Sequence, residues 1–420
     1  MRLEYTSISN LLLLPKNFSI EEHDPLVSEI LESHHVFHPL YELEKSIQLI
    51  LDSMEKRGLV IAEEWFRSGL EGKRTQRTKA VTEINQYVDG AHDDVDESRL
   101  HDYWRGNNLP IANSFDALAN YKQLHPTYNL MLQYRKHSNY LKQWDLNLKH
   151  DGVELENGDV RMKGKWQSFA SYTGRMSAKQ LPLTSLPSEM RDYIVPPKDS
   201  QLVSIDLNNA ELRFLAYYAK CDQLIQRFNA GEDIHYETAK LIQSKMNRHK
   251  VADEQARELA KRYTYSFLYG AGVKTIQKSL QKVFKGITSA DVVTINDAFI
   301  QQYPEIQSFL LEREKSDSLL TAFGEVKPIA KFYEAQKRNF TLQSSVSVAI
   351  KMLMKTLANH KIEIMHALHD EVWISIPIET NLSTLMDEVA TEFEEKIKNT
   401  FRGFPCKGLL TIEKIGGKIQ

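Results

Sequence analysis

Leu202-Val203-Ser204-Ile205-Asp206-Leu207-Asn208-Asn209-Ala210-Glu211-Leu212-Arg213 holds an abrupt change of period. Leu202 to Ile205 is a short apolar run that reads as a strand. It ends on a carboxylate, and a helical pattern starts at once. Asp206 therefore has two readings. It can be the N-cap of that helix. It can equally present a carboxylate at a strand end, where a hard cation such as Mg²⁺ finds oxygen ligands.

A second such place lies near the C-terminus. Ile362 to Leu368 and Val372 to Ile376 are strand-like runs that meet at His369-Asp370-Glu371, which reads as a hairpin. The tripeptide is a weak signal alone, but a carboxylate buried there is costly unless paired with a cation. Two aspartates at strand ends, on adjacent strands, can share divalent ions. Paired metals about 3.5–4 Å apart are a recurring device for in-line displacement at phosphorus. Between them lies Arg257-Glu-Leu-Ala-Lys261-Arg-Tyr-Thr-Tyr265-Ser-Phe-Leu-Tyr269-Gly270. Arg257, Lys261, Tyr265 and Tyr269 recur every four residues, so on a helix they share one broad face. Cations match phosphate oxygens, and rings match a base or sugar. The plainer alternative is an amphipathic helix whose tyrosines pack in the core.

The rest of the chain is consistent with a globular protein. Its 420 residues are 42% hydrophobic and 26% charged, enough for two or three cooperating units or one large subdivided domain. Fifty-three basic and 56 acidic residues leave a net charge of −3, which argues against binding polyanions over the whole surface. Locally the bias is strong: net −5 over residues 1–60, +8 over 240–285 and +5 over 320–361. These are either solvated faces or segments of one basic groove with acidic segments outside it. Two cysteines, Cys221 and Cys406, make neither a disulfide framework nor a cysteine zinc site, and fit a reducing, cytoplasmic setting. The run Leu11–Leu14 is too short to span a bilayer. Glu4, Glu21, Glu22 and Asp24 argue against a transit peptide. Helical periodicity marks 40–57, most of 58–145, the stretch from Asp206 to Pro304, 339–358 and 381–402. Strands are predicted near 152–164 and 408–413. Few strands separated by long helices predict an α+β protein.

In order and spacing, the three motifs resemble motifs A, B and C of the family A DNA polymerases, the bacterial DNA polymerase I type. Asp206, Glu211, Leu212 and Arg213 match the first; Arg257, Lys261, Tyr265, Tyr269 and Gly270 the second; His369, Asp370 and Glu371 the third. Thr173-Gly174-Arg175-Met176-Ser177, Asp233-Ile234-His235, the Asn339/Gln343 spacing and His125-Pro126 with Leu132-Gln-Tyr134-Arg135 extend the likeness from about residue 35 to 415.

The resemblance implies a right-hand polymerase fold. Its palm, an antiparallel sheet, takes the start of the chain (1–54), 149–219 and 319–420; the thumb takes 55–148 and the fingers 220–318. It implies template-directed addition of dNMP to a primer 3′-hydroxyl, in replication or in repair and gap filling. Two Mg²⁺ ions, with Mn²⁺ as a substitute, are held by Asp206, Asp370 and the Leu207 carbonyl, and Glu371 supports them. Arg257, Lys261 and His235 contact the triphosphate. Glu211 is the steric gate against a 2′-hydroxyl, Tyr265 sits against the deoxyribose, and Tyr269 lies near the templating base. Arg175, Asn339, Gln343 and His369 contact the minor groove and primer terminus. The implied partners are primer–template DNA, dNTPs and accessory replication proteins, with no membrane.

Departures from the family pattern also carry expectations. Leu181-Pro-Leu-Thr184-Ser185-Leu-Pro187 has hydroxyls where the family has template- or primer-contacting amides. Asn208-Asn209 stands for Ser-Gln, and Ala335 for a common arginine, with Arg338 nearby. The chain ends at Ile415-Gly-Gly-Lys-Ile-Gln420 without the common tryptophan. Tyr265 is tyrosine, as in short phage members, where bacterial enzymes usually have phenylalanine. Its phenol can replace the missing 3′-hydroxyl contact of a dideoxynucleotide, so weak discrimination against dideoxynucleotides is expected. Only about 35 residues precede the matching region, too few for an exonuclease or 5′ nuclease domain, so a polymerase without proofreading is expected. Two alternatives stand beside this reading. One is a single-subunit RNA polymerase, which Glu211-Leu-Arg argues against. The other is a silent primer–template-binding protein, which the intact Asp206, Asp370, Lys261 and Arg257 argue against.

Overall fold

The computed structural model describes residue 11 and residues 37–88, 93–146, 152–181, 183–246, 251–328 and 331–415. Leu12–Leu14, the acidic residues before position 25, Pro182, residues 247–250 of the basic segment and the chain end after Ile415 lie outside the described residues. The chain divides into two compact units. One comprises residues 1–54, 166–177 and 199–414, and the other 55–165, 178–198 and 415–420.

The first unit is built on a four-stranded sheet: β1 (Ser200–Leu207), β2 (Glu363–Leu368), β3 (Glu371–Pro377) and β4 (Leu410–Ile415). Their order is β2-β3-β1-β4. The β2–β3 and β3–β1 pairs are antiparallel. Runs such as Leu202-Val203 and Ile374 bury almost completely, as β-branched and leucine-rich strands do beneath covering helices.

The helices of this unit, in chain order, begin with α1 (Phe37–Arg57), whose residues to Met54 belong here. They continue with α2 (Ala210–Tyr218), α3 (Asp222–Ala230), α4 (Ile234–Lys245), α5 (Asp253–Leu268) and α6 (Val273–Leu280). The last four are α7 (Ser289–Gln302), α8 (Pro304–Lys315), α9 (Glu334–Asn359) and α10 (Leu382–Thr400). Two expectations need correction. Pro304 does not close the helical stretch but opens α8 as its first residue, where its missing N–H and fixed φ are harmless. Asp206 is a strand residue and not an N-cap; Asn209, at φ +53°, stands at the start of α2. A small hairpin, Leu319–Thr321 with Gly324–Val326, was not legible as strand in the sequence because each arm has only three residues.

α2 is tied down by Arg213, which is buried. Its guanidinium donates to the carbonyls of Asn208 (2.9 Å), Pro405 (2.7 Å) and Gly408 (3.1 Å). It also lies 4.4 Å over the Phe228 ring. Burial lowers its pKa to about 10, so it stays charged at neutral pH.

In the second unit, strands run in the order Gly152–Glu154, Val160–Met162, Leu59–Ile61, Ile194–Val195. Helices Glu71–Asn85, Glu97–Gly106, Phe115–Tyr121 and Pro126–Leu141 enclose Ile84, Leu100, Trp104, Tyr128 and Met131. Trp104 stacks on Tyr128 at 4.6 Å and donates to Thr127 Oγ1 at 2.8 Å. Among the described residues no helix is long and apolar enough to cross a membrane.

Because one buried side chain serves three backbone carbonyls, Arg213→Met is expected to cost on the order of 3 kcal/mol. Thermal unfolding of the variant beside wild type checks this; an unchanged melting temperature contradicts it.

Candidate active site

The pairing of β1 with β3 sets Asp206 directly opposite Glu371, and Ser204 opposite Trp373. Leu207 N–H donates to the Asp370 carbonyl at 3.0 Å. Asp206 and the Asp370-Glu371 dipeptide thus meet at one end of the sheet. Asp370 shares a two-residue turn with His369, whose φ is +48°. Leu368 pairs with Glu371 across that turn, so the turn is His369-Asp370 and Glu371 already belongs to β3. Burial raises the Asp370 pKa, and the neighbouring Glu371 charge adds to this against His369 and Arg175. Residues opposite each other in register point to the same sheet face. Accordingly Glu371 Oε1 accepts from Ser204 Oγ and, at 2.7 Å, from Trp373 Nε1. Neither donor was singled out in the sequence. Each lies two residues from a motif carboxylate on the same strand, so period-two spacing is the signal that finds them.

α5 carries the second motif. Ala256, Leu259, Ala260, Tyr263 and Thr264 face the core, while Arg257 and Lys261 are exposed and Tyr265 is half-buried. The helix closes at Gly270, φ +75°, with Ala271 N–H reaching the Ser266 carbonyl at 3.0 Å, a C-terminal cap that favours glycine. Arg338, from α9, donates to the carbonyls of Leu268 (3.2 Å) and Phe267 (2.7 Å) and pairs with Glu314 at 3.0 Å. A cation here complements the negative helix end, and the cap fixes the position of Tyr269.

Three predicted residues form one hydrogen-bonded cluster. Glu211 accepts from Tyr269 OH and, at 3.1 Å, from Arg175 Nη2. Burial raises the Glu211 pKa, opposed by the Tyr269 hydrogen bond and the Arg175 charge. The Tyr269 and Tyr265 hydroxyls are pushed up by burial, and Tyr265 further by Glu211, Asp370 and Asp206. Both phenols therefore stay protonated donors. Their rings stack at 6.5 Å, and Tyr265 lies 5.9 Å from the His235 ring.

His235 is buried on α4 behind the N-cap Asp233. Its Nε2 lies 2.9 Å from Asn209 Oδ1. Asn209 Nδ2 donates to Asn208 Oδ1 at 2.8 Å, so the amide oxygen faces the imidazole and Nε2 carries the proton. Nδ1 has no partner. Burial, helped by the Arg257 and Lys261 charges, lowers the His235 pKa to about 4 despite Asp233, and the ring is neutral at physiological pH. Arg257 itself rests on Asp233 Oδ2 at 2.8 Å. Asn339 donates from Nδ2 to the Tyr269 carbonyl at 3.5 Å, while its buried Oδ1 has no hydrogen-bond partner among the described residues. Gln343 is half-buried one turn further along α9, and His369 is exposed at its turn.

No group of three or more His, Cys, Asp or Glu side chains disposed to hold a metal occurs among the described residues. The oxygen donors at the sheet end, Asp206 and Asp370, nevertheless suit a hard cation that takes one or two protein carboxylates and completes its shell from phosphates and water.

The family model for DNA polymerase family A matches residues 107–403. DNA polymerase I of Lactococcus lactis subsp. lactis is 23% identical over 422 residues, covering 89% of this chain and 45% of that protein. DNA polymerase I of Helicobacter pylori is 23% identical over 298 residues, covering 65% and 32%. The chain thus spans less than half the length of these curated relatives. Among solved structures, the POL domain of Pol1 from M. smegmatis, in complex with DNA primer-template and dNTP, superposes with a TM-score of 0.75 at 17% identity, covering 93% of this chain and 72% of that one. The fold is therefore the α+β right-hand fold of such a polymerase domain, and with the family model matching most of its length, the chain belongs to DNA polymerase family A.

Proposed function

We propose that the chain is a DNA-directed DNA polymerase that adds dNMP to a primer 3′-hydroxyl by two-metal-ion nucleotidyl transfer, with primer–template DNA and dNTPs as its substrates. The observation that carries this is the register that sets Asp206 against Glu371 and bonds Leu207 to Asp370. It supports a shared site for Mg²⁺, with Asp206, Asp370 and the Leu207 carbonyl as ligands. Bound there, divalent cations lower the pKa of the attacking hydroxyl and stabilise the leaving pyrophosphate.

The remaining roles fall to side chains around that pair. Arg257 and Lys261 lie one helical turn apart on α5 and bind the triphosphate; Arg257 exchanges Asp233 for phosphate oxygens, a better bidentate match for a guanidinium in a nucleotide-bound state. Neutral His235 joins them. Glu211, held by Arg175 and Tyr269, blocks a ribose 2′-hydroxyl. Tyr265 packs on the deoxyribose and Tyr269 near the templating base. Arg175, Asn339, Gln343 and His369 read minor-groove geometry, whose acceptors are common to all correct pairs. Glu371, gripped by Ser204 and Trp373, keeps the Asp370 turn in place.

Primer extension on a defined template with dNTPs and Mg²⁺ tests the reading. Asp206→Asn and Asp370→Asn are each expected to lower the rate at least ~10²-fold while primer–template binding persists; chelation stops wild type, and Mg²⁺ or Mn²⁺ restores it. Tight binding without extension under any divalent metal supports the silent-protein alternative instead. Ribonucleotides used as readily as deoxynucleotides by wild type point to an RNA polymerase.

Tyr265 yields a separate expectation. Its hydroxyl remains a hydrogen donor beside the sugar site, so wild type accepts dideoxynucleotides readily. Tyr265→Phe is expected to raise discrimination against them at least ~tenfold, measured as the ratio of chain termination to extension. Equal termination by the two proteins refutes this role for the phenol.

A further inference from the structure

Glu44 and Lys351 are 307 positions apart, yet Lys351 Nζ lies 2.6 Å from Glu44 Oε1 with the two side chains 1% and 0% exposed. Removing two charges from water is costly. Replacing a buried pair by apolar side chains is often neutral or stabilising, so stability alone is a poor reason for it. Lys351 has a second acceptor: the Gly174 carbonyl, also at 2.6 Å. Ser347, one turn earlier on α9, donates to the same oxygen at 2.5 Å. Both lone pairs of that carbonyl are thus filled from one helix face.

Gly174 is the centre of a tight turn. Its φ is +77°, and a Cβ there would meet Phe169 Cε2 at 2.9 Å. Gly174 N–H bonds to the Ser171 carbonyl at 2.9 Å, Arg175 N–H to Ser171 Oγ at 3.2 Å, and Ala170 N–H to the Arg175 carbonyl at 3.0 Å. The next residue, Arg175, is the one whose guanidinium meets Glu211. The path from the buried pair to Glu211 therefore contains one backbone carbonyl and one side chain.

We infer that Glu44, Lys351 and Ser347 are positioning residues for sugar selection: they hold the Gly174 carbonyl, so that Arg175 meets Glu211 in the geometry that excludes a ribose 2′-hydroxyl. This rests on the proposed role of Glu211 as the gate. Glu44 aims Lys351; Lys351 and Ser347 fix the turn; Arg175 transmits the position.

The test uses the full chain in four variants: Ser347→Ala, Ser347→Thr, the paired Glu44→Gln/Lys351→Met, and Glu211→Ala. The paired change avoids leaving a buried charge alone, and Ser347→Ala covers the case in which the pair does not fold. Two quantities are read: the ratio of kcat/KM for deoxy- over ribonucleotide, and amide hydrogen exchange across residues 170–176. Ser347→Ala and the paired variant are expected to lose at least ~tenfold in the ratio and to exchange faster over the turn, while Ser347→Thr keeps both. Lower melting temperature with the ratio unchanged, or an unchanged turn, overturns the inference. Glu211→Ala separates the two failures: if it excludes ribonucleotides as wild type does, the gate reading is wrong and the positioning role falls with it.

Discussion

One strand register carries the chemistry of this protein. A strand shifted by one residue turns every side chain to the opposite face of its sheet. Asp206 opposite Glu371, and Leu207 bonded to the Asp370 carbonyl, depend on β1 and β3 pairing in this register and no other. Burial enforces it: Val203, Ile205, Val372 and Ile374 are all essentially inaccessible. The apolar pattern that holds the sheet in register is thus the same pattern that brings two chain-distant carboxylates to one edge.

The electrostatics of that edge follow from its packing. Glu211, Asp370 and Glu371 all lie at least half-buried within the same region of the first unit. Burial raises the pKa of Glu211 and Asp370, and their charges help to keep the Tyr265 phenol protonated. Counter-charge comes from Arg175 on one side, while burial, helped by the Arg257 and Lys261 charges, keeps His235 neutral on another. The net charge of −3 hides this contrast entirely, because electrostatic work is done over a few ångströms and not over the chain.

Legibility differs by mechanism. Strands β1 to β3 and the turn at His369-Asp370 were readable because apolar runs with a polar break have few other folds. The face of α5 was readable because a spacing of four is local. The capping role first allowed to Asp206 was not decidable from sequence: a short carboxylate before a helix caps or does not according to where the strand ends, and here β1 runs to Leu207 and leaves Asn209 to begin α2. The cluster of Glu211 with Tyr269 and Arg175 joins three segments, and no local pattern relates them. Ser204 and Trp373 as donors to Glu371 need the register before their spacing means anything.

The Glu44–Lys351 pair shows the same limit at its extreme. Glu44 falls among the apolar positions of α1, and Lys351 among those of α9. Each alone breaks the hydrophobic pattern of its helix, and such breaks have a physical meaning: a charged group among core residues survives only with a partner. Two unpaired breaks of opposite sign in distant helices are therefore a signal, but a signal for a contact and not for a role. The role depends on the third member, a backbone carbonyl with no sequence signature beyond a glycine. That glycine is required because the turn needs φ +77° and leaves no room for a Cβ beside Phe169. Core charge, left-handed turn and active-site guanidinium are three ordinary features separately. Their contiguity makes a buried ion pair part of the machinery that aims a side chain at the sugar.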